Sequence, residues 1–380
     1  MAKPTILIAN GIMGAGGTES LLMEIFRNTS HKVRYILLVH YSDRIEQGSF
    51  DKEIRELGIQ MEYIPSVGSI GIKRYNEEFK KLIERIGPID IIHCHLNAVA
   101  GVICGAAKKG GIPVRISHCH ANIKFRGSRM HILKEEISLQ LLKGLIGLNA
   151  TSRWACSHEA WKRLFYPWNK EIIINNMIDP RRYFPTEEKR QKAKEKFNID
   201  GRKFIIGAVG RVAPIKNYEV IIKAIQKVPE AMFVCFGRFE KTKGYCNSLL
   251  NLAEECGVAD RVKFLGNSSD IATDIHLIDV FVMPSITEGF GMAALEAQAA
   301  GLPCLVSSGL PPQLDLNLGH FSFINPYKVS DWSDALAKAI SEYKHEIPDS
   351  TLIQNAFSKS GFDSKTGVEK IEDLYLSLCH

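Results

Sequence analysis

The side chains best equipped for chemistry lie in four short stretches. Gly210-Arg211-Val212-Ala213-Pro214-Ile215-Lys216-Asn217 sets two cations five residues apart, between a β-type run and a helical one. Such a pair can converge on one diphosphate, the guanidinium through its fork and the ammonium as a point charge. Solvated surface charges are the plainer reading, but a place at the carboxyl end of a parallel strand favours binding. Downstream, Pro284-Ser285-Ile286-Thr287-Glu288-Gly289-Phe290-Gly291-Met292 runs into Ala293-Ala294-Leu295-Glu296-Ala297. Gly289 and Gly291 let a ligand approach the backbone, and a helix starting near residue 291 aims its positive end at the same place. One carboxylate in the loop, Glu288, and one on the helix, Glu296, can grip two hydroxyl-bearing rings with a phosphate between them. Glu296 would be a surface residue on an ordinary helix. This helix is so apolar that it reads as buried, and a buried carboxylate needs a polar partner.

The third stretch, Asn10-Gly11-Ile12-Met13-Gly14-Ala15-Gly16-Gly17-Thr18-Glu19, joins a strand to a helix. Its backbone N–H groups can approach an anion at the helix N-terminus. It is no dinucleotide fingerprint, because Gly14-x-Gly16 would need a glycine where Glu19 stands, and no Gly-Lys-Ser/Thr follows. A tight turn with Thr18 as N-cap explains it equally well. The fourth is a repeated tripeptide, in Ile92-His93-Cys94-His95-Leu96-Asn97 and Ser117-His118-Cys119-His120-Ala121-Asn122. Four histidines and two cysteines raise the question of zinc. The expectation is that the imidazoles of each pair part, one to a cleft and one to the core, which leaves no metal site. Lys124, Arg126, Arg129 and Lys134 follow. They suit an anionic substrate or lipid surface, or simply a solvated loop.

Elements of a parallel α/β fold must hold these stretches. Strand-like runs at Thr5–Asn10, Val33–His40, Gln60–Ile64, Ile89–His93, Val114–Ser117 and Ala155–Cys156 alternate with helical patterns over 18–27, 50–57 and 74–86. After Ile172–Ile174 and a polar stretch, Thr186–Lys196, the rhythm restarts. Strands are expected at 203–209, 232–236, 261–265, 280–283 and 303–306, with helices at 218–227, 247–256 and 291–300. Such alternation indicates βαβ units. The chain is therefore expected to be two Rossmann-like domains, with parallel sheets facing a central cleft that holds the ligand. The boundary falls near 176–200, giving domains at 1–178 and 179–362. A terminal segment, 363–380, carries an amphipathic helix over 367–378 placed to cross back to the first domain.

Length and composition agree. The 380 residues are 45% hydrophobic and 24% charged, which excludes a disordered chain, a collagen-like repeat and a disulfide-stapled miniprotein. Nine cysteines form no Cys-x-x-Cys pair, as expected of buried thiols in a reducing cytosol. Met1-Ala2-Lys3-Pro4 leads straight into a strand-length run, unlike a signal peptide, and no run approaches 18 apolar residues. A cytoplasmic protein is the expectation. The net charge of +6 is uneven, with 24 basic against 16 acidic residues in 1–175 and 24 against 26 thereafter. A basic first half suits an anionic partner such as a membrane surface.

Together the motifs carry a resemblance. Pro284-Ser285-x-x-Glu288-Gly289-Phe290-Gly291 followed by Glu296 is a Glu-x7-Glu pattern, preceded by Gly210-Arg211-x4-Lys216-Asn217 and by Gly16-Gly17-Thr18-Glu19. With Asn176-x-Ile178-Asp179-Pro180-x-x-Tyr183-Phe184 and Val262-Lys263-Phe264-Leu265-Gly266, the chain resembles over nearly its whole length the family 4 glycosyltransferases, retaining enzymes of GT-B fold. The His-x-His is most similar to members that assemble capsular or exopolysaccharides. The resemblance implies a sugar moved from a nucleotide diphosphate, UDP, to a glycan or lipid-linked acceptor, with no cofactor, no metal and no nucleic acid. By the same resemblance Arg211 and Lys216 neutralise the diphosphate, Glu288 binds the sugar beside Phe290 and Gly291, and Glu296 holds the ribose. Gly289, Met292, Gly266 and Asn267 belong to the donor site, Gly16 and Gly17 close over the phosphates, and His120 or His118 stands near the reacting carbon. Gly237-Arg238-Phe239 departs from the family's Gly-x-Gly, and Thr287 stands where a larger residue is usual. A nucleotide-sugar epimerase and a non-enzymatic sugar-binding protein are the alternative readings. The first releases an isomerised donor without an acceptor; the second usually carries an export signal.

Overall fold

Ile- and Val-rich strands, the inner ones buried on both faces, condense into two parallel six-stranded sheets. The computed structural model describes residues 3–379 apart from 15, 121–122, 124, 126, 200–203, 239–242, 289 and 344–346. It divides into one unit of Met1–Met177 with Ser364–His380 and another of Ile178–Asp363.

The first unit contains β1 (Thr5–Asn10), α1 (Gly17–Arg27), β2 (Arg34–Tyr41), α2 (Asp51–Glu56), β3 (Gln60–Pro65) and α3 (Val67–Ile86). There follow β4 (Ile91–Cys94), α4 (Ala100–Lys109), β5 (Val114–Cys119), α5 (Arg129–Asn149), β6 (Ser152–Ala155) and α6 (His158–Leu164). Its sheet has the order β3-β2-β1-β4-β5-β6, so the winding reverses between β1 and β4. Gly71 (φ 75°) breaks α3 after its first turn, which is why the helical period reads clearly only from Arg74. The run at Ile172–Ile174 makes a single bridge, Ala155 to Ile173, rather than a strand. Helices α4, α5 and α6, with four helices and the last strand of the second unit, are elements the sequence pattern did not mark.

The second unit begins with α7 (Glu187–Phe197), β7 (Phe204–Val209), α8 (Tyr218–Ala224), β8 (Ala231–Phe236), α9 (Lys243–Glu255) and β9 (Val262–Gly266). It continues through α10 (Ile271–Asp274), β10 (Val280–Met283), α11 (Met292–Ala299), β11 (Cys304–Ser307), β12 (Phe321–Ile324), α12 (Val329–Glu342) and α13 (Ser350–Ser360). Its order, β12-β11-β10-β7-β8-β9, repeats that of the first sheet, with the reversal between β7 and β10. Both sheets are doubly wound. No disulfide joins any of the nine cysteines, and no described helix is long and apolar enough to cross a membrane.

Helix α14 (Ser364–Leu378) returns to the first unit and is fastened there by polar groups. Glu372, fully buried, accepts hydrogen bonds from Thr29 Oγ1 (2.7 Å), Ser30 N (3.2 Å), Ser30 Oγ and Tyr35 OH (3.2 Å). Tyr375 is buried among Ile371, Val368 and the β1–β2 core. Glu372→Gln keeps the size but removes the charge that four donors face. Denaturant unfolding is expected to show a loss of about 1.5–3 kcal/mol, the range for hydrogen bonds to a charged group.

Candidate active site

In the second unit, three loops at the carboxyl ends of β7, β8 and β9 interlock through their backbones. Gly210 N donates to Phe236 O (2.8 Å), Val212 N to Arg238 O (2.9 Å) and Gly237 N to Gly266 O (2.7 Å). Gly237 sits at φ 157°, and a Cβ there would collide with the Gly210 carbonyl. That packing explains a glycine at 237. Gly210 itself leaves room for Lys216, whose Cε and Nζ would lie 3.1 Å from a Cβ at 210. A short 3-10 turn, Pro214–Lys216, and Asn217 in the left-handed region turn the chain into α8. Asn217 Nδ2 fixes that corner by donating to Pro326 O (2.8 Å) and Pro284 O (3.2 Å).

This scaffold brings Lys216 to Glu288. Lys216 Nζ lies 2.6 Å from Glu288 Oε1, with both side chains largely buried. One group follows β7 and the other β10, the two strands that flank the reversal of the sheet. The two residues that the sequence assigns to diphosphate and sugar thus meet in one ion pair. Arg211 is exposed in the same loop. Gly291, at φ 112°, caps α11, where a Cβ would press on Leu314 at 3.0 Å. Phe290 and Met292 are buried beside it, and Glu296 is 8% exposed on that helix. Gln298 braces the following loop, donating to Leu314 O (2.8 Å) and accepting from Leu316 N (3.1 Å). Gly266 closes β9 at φ 74°, and Asn267 is exposed after it. Gly289, Lys124, Arg126, Ala121, Asn122 and Phe239 lie outside the described residues.

In the first unit Gly16, not Thr18, is the N-cap of α1, and no side chain caps it. The helix starts at Gly17, and the Glu19 carboxylate folds back over Gly16. The histidines also depart from expectation. Residues two apart on a strand share a face, so His93 and His95 stand together, as do His118 and His120, and all four are buried in one cluster. His93 Nε2 is 3.0 Å from His118 Nδ1, and His95 Nδ1 is 2.7 Å from His120 Nε2. Tyr375 of α14 closes the first pair, its OH 2.6 Å from His93 Nδ1. Nothing local in the sequence links that tyrosine to residue 93. In either direction of proton donation, His95 Nε2, His118 Nε2 and His120 Nδ1 are left without a partner among the described residues. The cluster presents neutral imidazole nitrogens, the chemistry that suits hydroxyl groups.

His93, His95 and His118 are the one grouping of metal-ligating type among the described residues, each offering a nitrogen within 4.8 Å of the others. The rings also hydrogen-bond and stack on each other, His93 on His118 and His95 on His120.

Burial holds all four imidazoles well below their usual range, His120 to about 3 and the other three in the same direction, with neighbouring imidazoles adding to the effect at His93, His95 and His118. The unfolded chain takes up these protons near pH 6.5, while the folded chain stays neutral. Stability should therefore be intact above that pH and fall as acidity increases towards pH 4. Each histidine contributes a slope of about 1.4 kcal/mol per pH unit in that window. Urea titrations of the native chain and of His95→Phe check this. An unchanged slope in the variant would contradict the neutral cluster.

Comparison with known proteins agrees with this architecture. Residues 189–358 match the model of the family described as glycosyl transferases group 1. EpsF of Bacillus subtilis (strain 168), provisionally named a glycosyltransferase, is 28% identical over 96% of this chain and 94% of its own. The Escherichia coli UDP-Gal:alpha-D-GlcNAc-diphosphoundecaprenol alpha-1,3-galactosyltransferase is 26% identical over 76% of each chain. Among solved structures, HepE of Anabaena in complex with UDP and glucose superposes with a TM-score of 0.78 at 19% identity, over 98% of this chain and 99% of its own. The second unit thus carries the match to the glycosyl transferases group 1 family, and the two doubly wound sheets are those of the GT-B fold.

Proposed function

We propose that the chain transfers a hexose-type sugar from UDP to a glycan or lipid-linked acceptor in surface polysaccharide synthesis, with retention at the anomeric carbon. The Lys216–Glu288 pair carries this reading: a cation and a carboxylate 2.6 Å apart at the point where a doubly wound sheet receives its ligand. Arg211 and Lys216 hold the diphosphate and offset the charge that grows on it as the glycosidic bond breaks. Glu288 accepts hydrogen bonds from the sugar hydroxyls, next to the backbone of Gly289, Phe290, Gly291 and Met292. Glu296 holds the ribose, and Gly266 and Asn267 lie on the nucleotide side. UDP as the nucleotide is supported by the HepE complex and by the donor in the name of the E. coli relative; a lipid-linked acceptor is supported by that same name.

In the reaction the bond from the anomeric carbon to the diphosphate oxygen breaks, and a bond to the acceptor oxygen forms on the same face. The acceptor's proton passes to the departing diphosphate oxygen. The first unit supplies the Gly16–Gly17 turn for the phosphates, and His120 for the hydroxyls near the reacting carbon. His120 is the more exposed member of its pair, at 9% against 1% for His118. The enzyme works in the cytoplasm, on the inner face of the cell membrane.

Calorimetric titration of UDP tests the two glutamates. Glu288→Gln should lower kcat while leaving UDP affinity equal or higher, because Lys216 loses its competing carboxylate. Glu296→Gln should weaken UDP by about 1–3 kcal/mol, the worth of a charge-assisted hydrogen bond. Native affinity in Glu296→Gln would sink this placement of the nucleotide.

Two side-chain cations in place of a metal, in a chain without Asp-x-Asp, give a second expectation. EDTA leaves turnover unchanged. Activity lost to the chelator and restored by manganese or zinc would reject the metal-free diphosphate site.

A further inference from the structure

Helix α5 is apolar on two opposite faces. Leu139 and Ile146 are buried, and the helix lies against α4 so closely that a Cβ at Gly101 would sit 2.8 Å from Ile146 N. The opposite side carries Met130 (64% exposed), Leu133 (55%), Ile137 (54%), Leu141 (69%) and Leu148 (74%). At about 100° per residue these five fall within roughly 80° of arc. Single exposed apolar residues are commonplace, but a continuous stripe along a 21-residue helix is not.

Two further observations bear on what covers it. At the C-terminal end of α5, Gly147 abuts Tyr166, which stacks on Trp168 at 4.6 Å and 5°, and Trp168 is 76% exposed. Lys143 holds its ammonium 5.2 Å over the Tyr166 ring. Tryptophan and tyrosine with an apolar body and a wet edge are the residues of the membrane–water interface. The charge is also concentrated here. Residues 1–100 carry 12 basic and 12 acidic side chains, whereas 101–175 carry 12 and 4. Exposed Arg129 opens the helix, Lys134 borders the stripe, and Lys170 follows Trp168 by two residues. Of the helix's two carboxylates, Glu136 is bound to Arg163 at 2.6 Å.

We infer that this face of α5, with Trp168 at its end, docks on an anionic lipid bilayer, the apolar stripe sinking into the interface and the cations meeting lipid phosphates. A second copy of the chain fits less well, because a self-pairing would set this basic excess against itself. The inference rests on the membrane-linked acceptor proposed above and gives that acceptor's surroundings a surface on the protein.

The test uses the full chain and vesicles of phosphatidylglycerol with phosphatidylcholine, or of phosphatidylcholine alone. Trp154, Trp161 and Trp332 are buried, so a blue shift of emission on binding reports Trp168 and should vanish in Trp168→Phe. Sedimentation should show strong binding to the anionic vesicles, weakening with salt, and a loss of about tenfold or more in Ile137→Glu and in Leu141→Glu. Both side chains face outward, so unfolding midpoints should stay native and keep the loss interpretable. Native-like binding by both variants, or no blue shift, would overturn the inference. So would a lipid-free dimer that the variants dissociate, since the face then belongs to a second copy. UDP titration separates the two readings: vesicle binding without UDP binding removes the enzymatic proposal alone.

Discussion

The carbonyl oxygen of Gly210 occupies the space where a side chain at Gly237 would begin. Because that side chain is missing, the loops after β7, β8 and β9 lie flat against one another and exchange backbone hydrogen bonds. The loop from β7 is then free to carry Lys216 across to Glu288 on the loop from β10. A doubly wound sheet leaves a gap in its helical cover where the winding reverses, and only there do loops from neighbouring strands diverge enough to admit a ligand. The ion pair stands at that gap. Its two charges satisfy each other, so the site can be dry and preformed without an unpaired buried charge.

The first unit reaches a comparable end by other means. At the carboxyl ends of β4 and β5 it gathers imidazoles, not charges, and burial keeps them neutral. Neutral rings that donate at one nitrogen and accept at the other can match a polyhydroxylated partner without binding an anion strongly.

The sequence made the fold class legible because the signal is local and repeated: β-branched runs of strand length, each followed by helical spacing. The motif loops were legible for the same reason, since glycines, cations and carboxylates sit at fixed short separations. Other features escaped. The histidine pairs required the two-residue repeat of a strand to be followed to one shared face, and their closure depends on Tyr375, which is 282 residues from His93. The cap of α1 fell to Gly16 because Glu19 folds back over that turn, a geometry that residue preference alone assigns to Thr18. Helix α5 hid because both its faces are apolar, which erases the one-sided pattern by which a helix is read.

The return of α14 has a consequence for biosynthesis. The ribosome completes all of Ile178–Asp363 before it makes the helix that supplies Glu372 and Tyr375 to the first unit. Until then the Thr29–Ser30 turn lacks its acceptor, His93 lacks its hydroxyl, and the apolar surface around Met177 and Trp154 lacks its cover. Domains of nascent chains generally mature in the order in which they are made. Here the order is reversed, with the second unit able to finish while the first waits for α14.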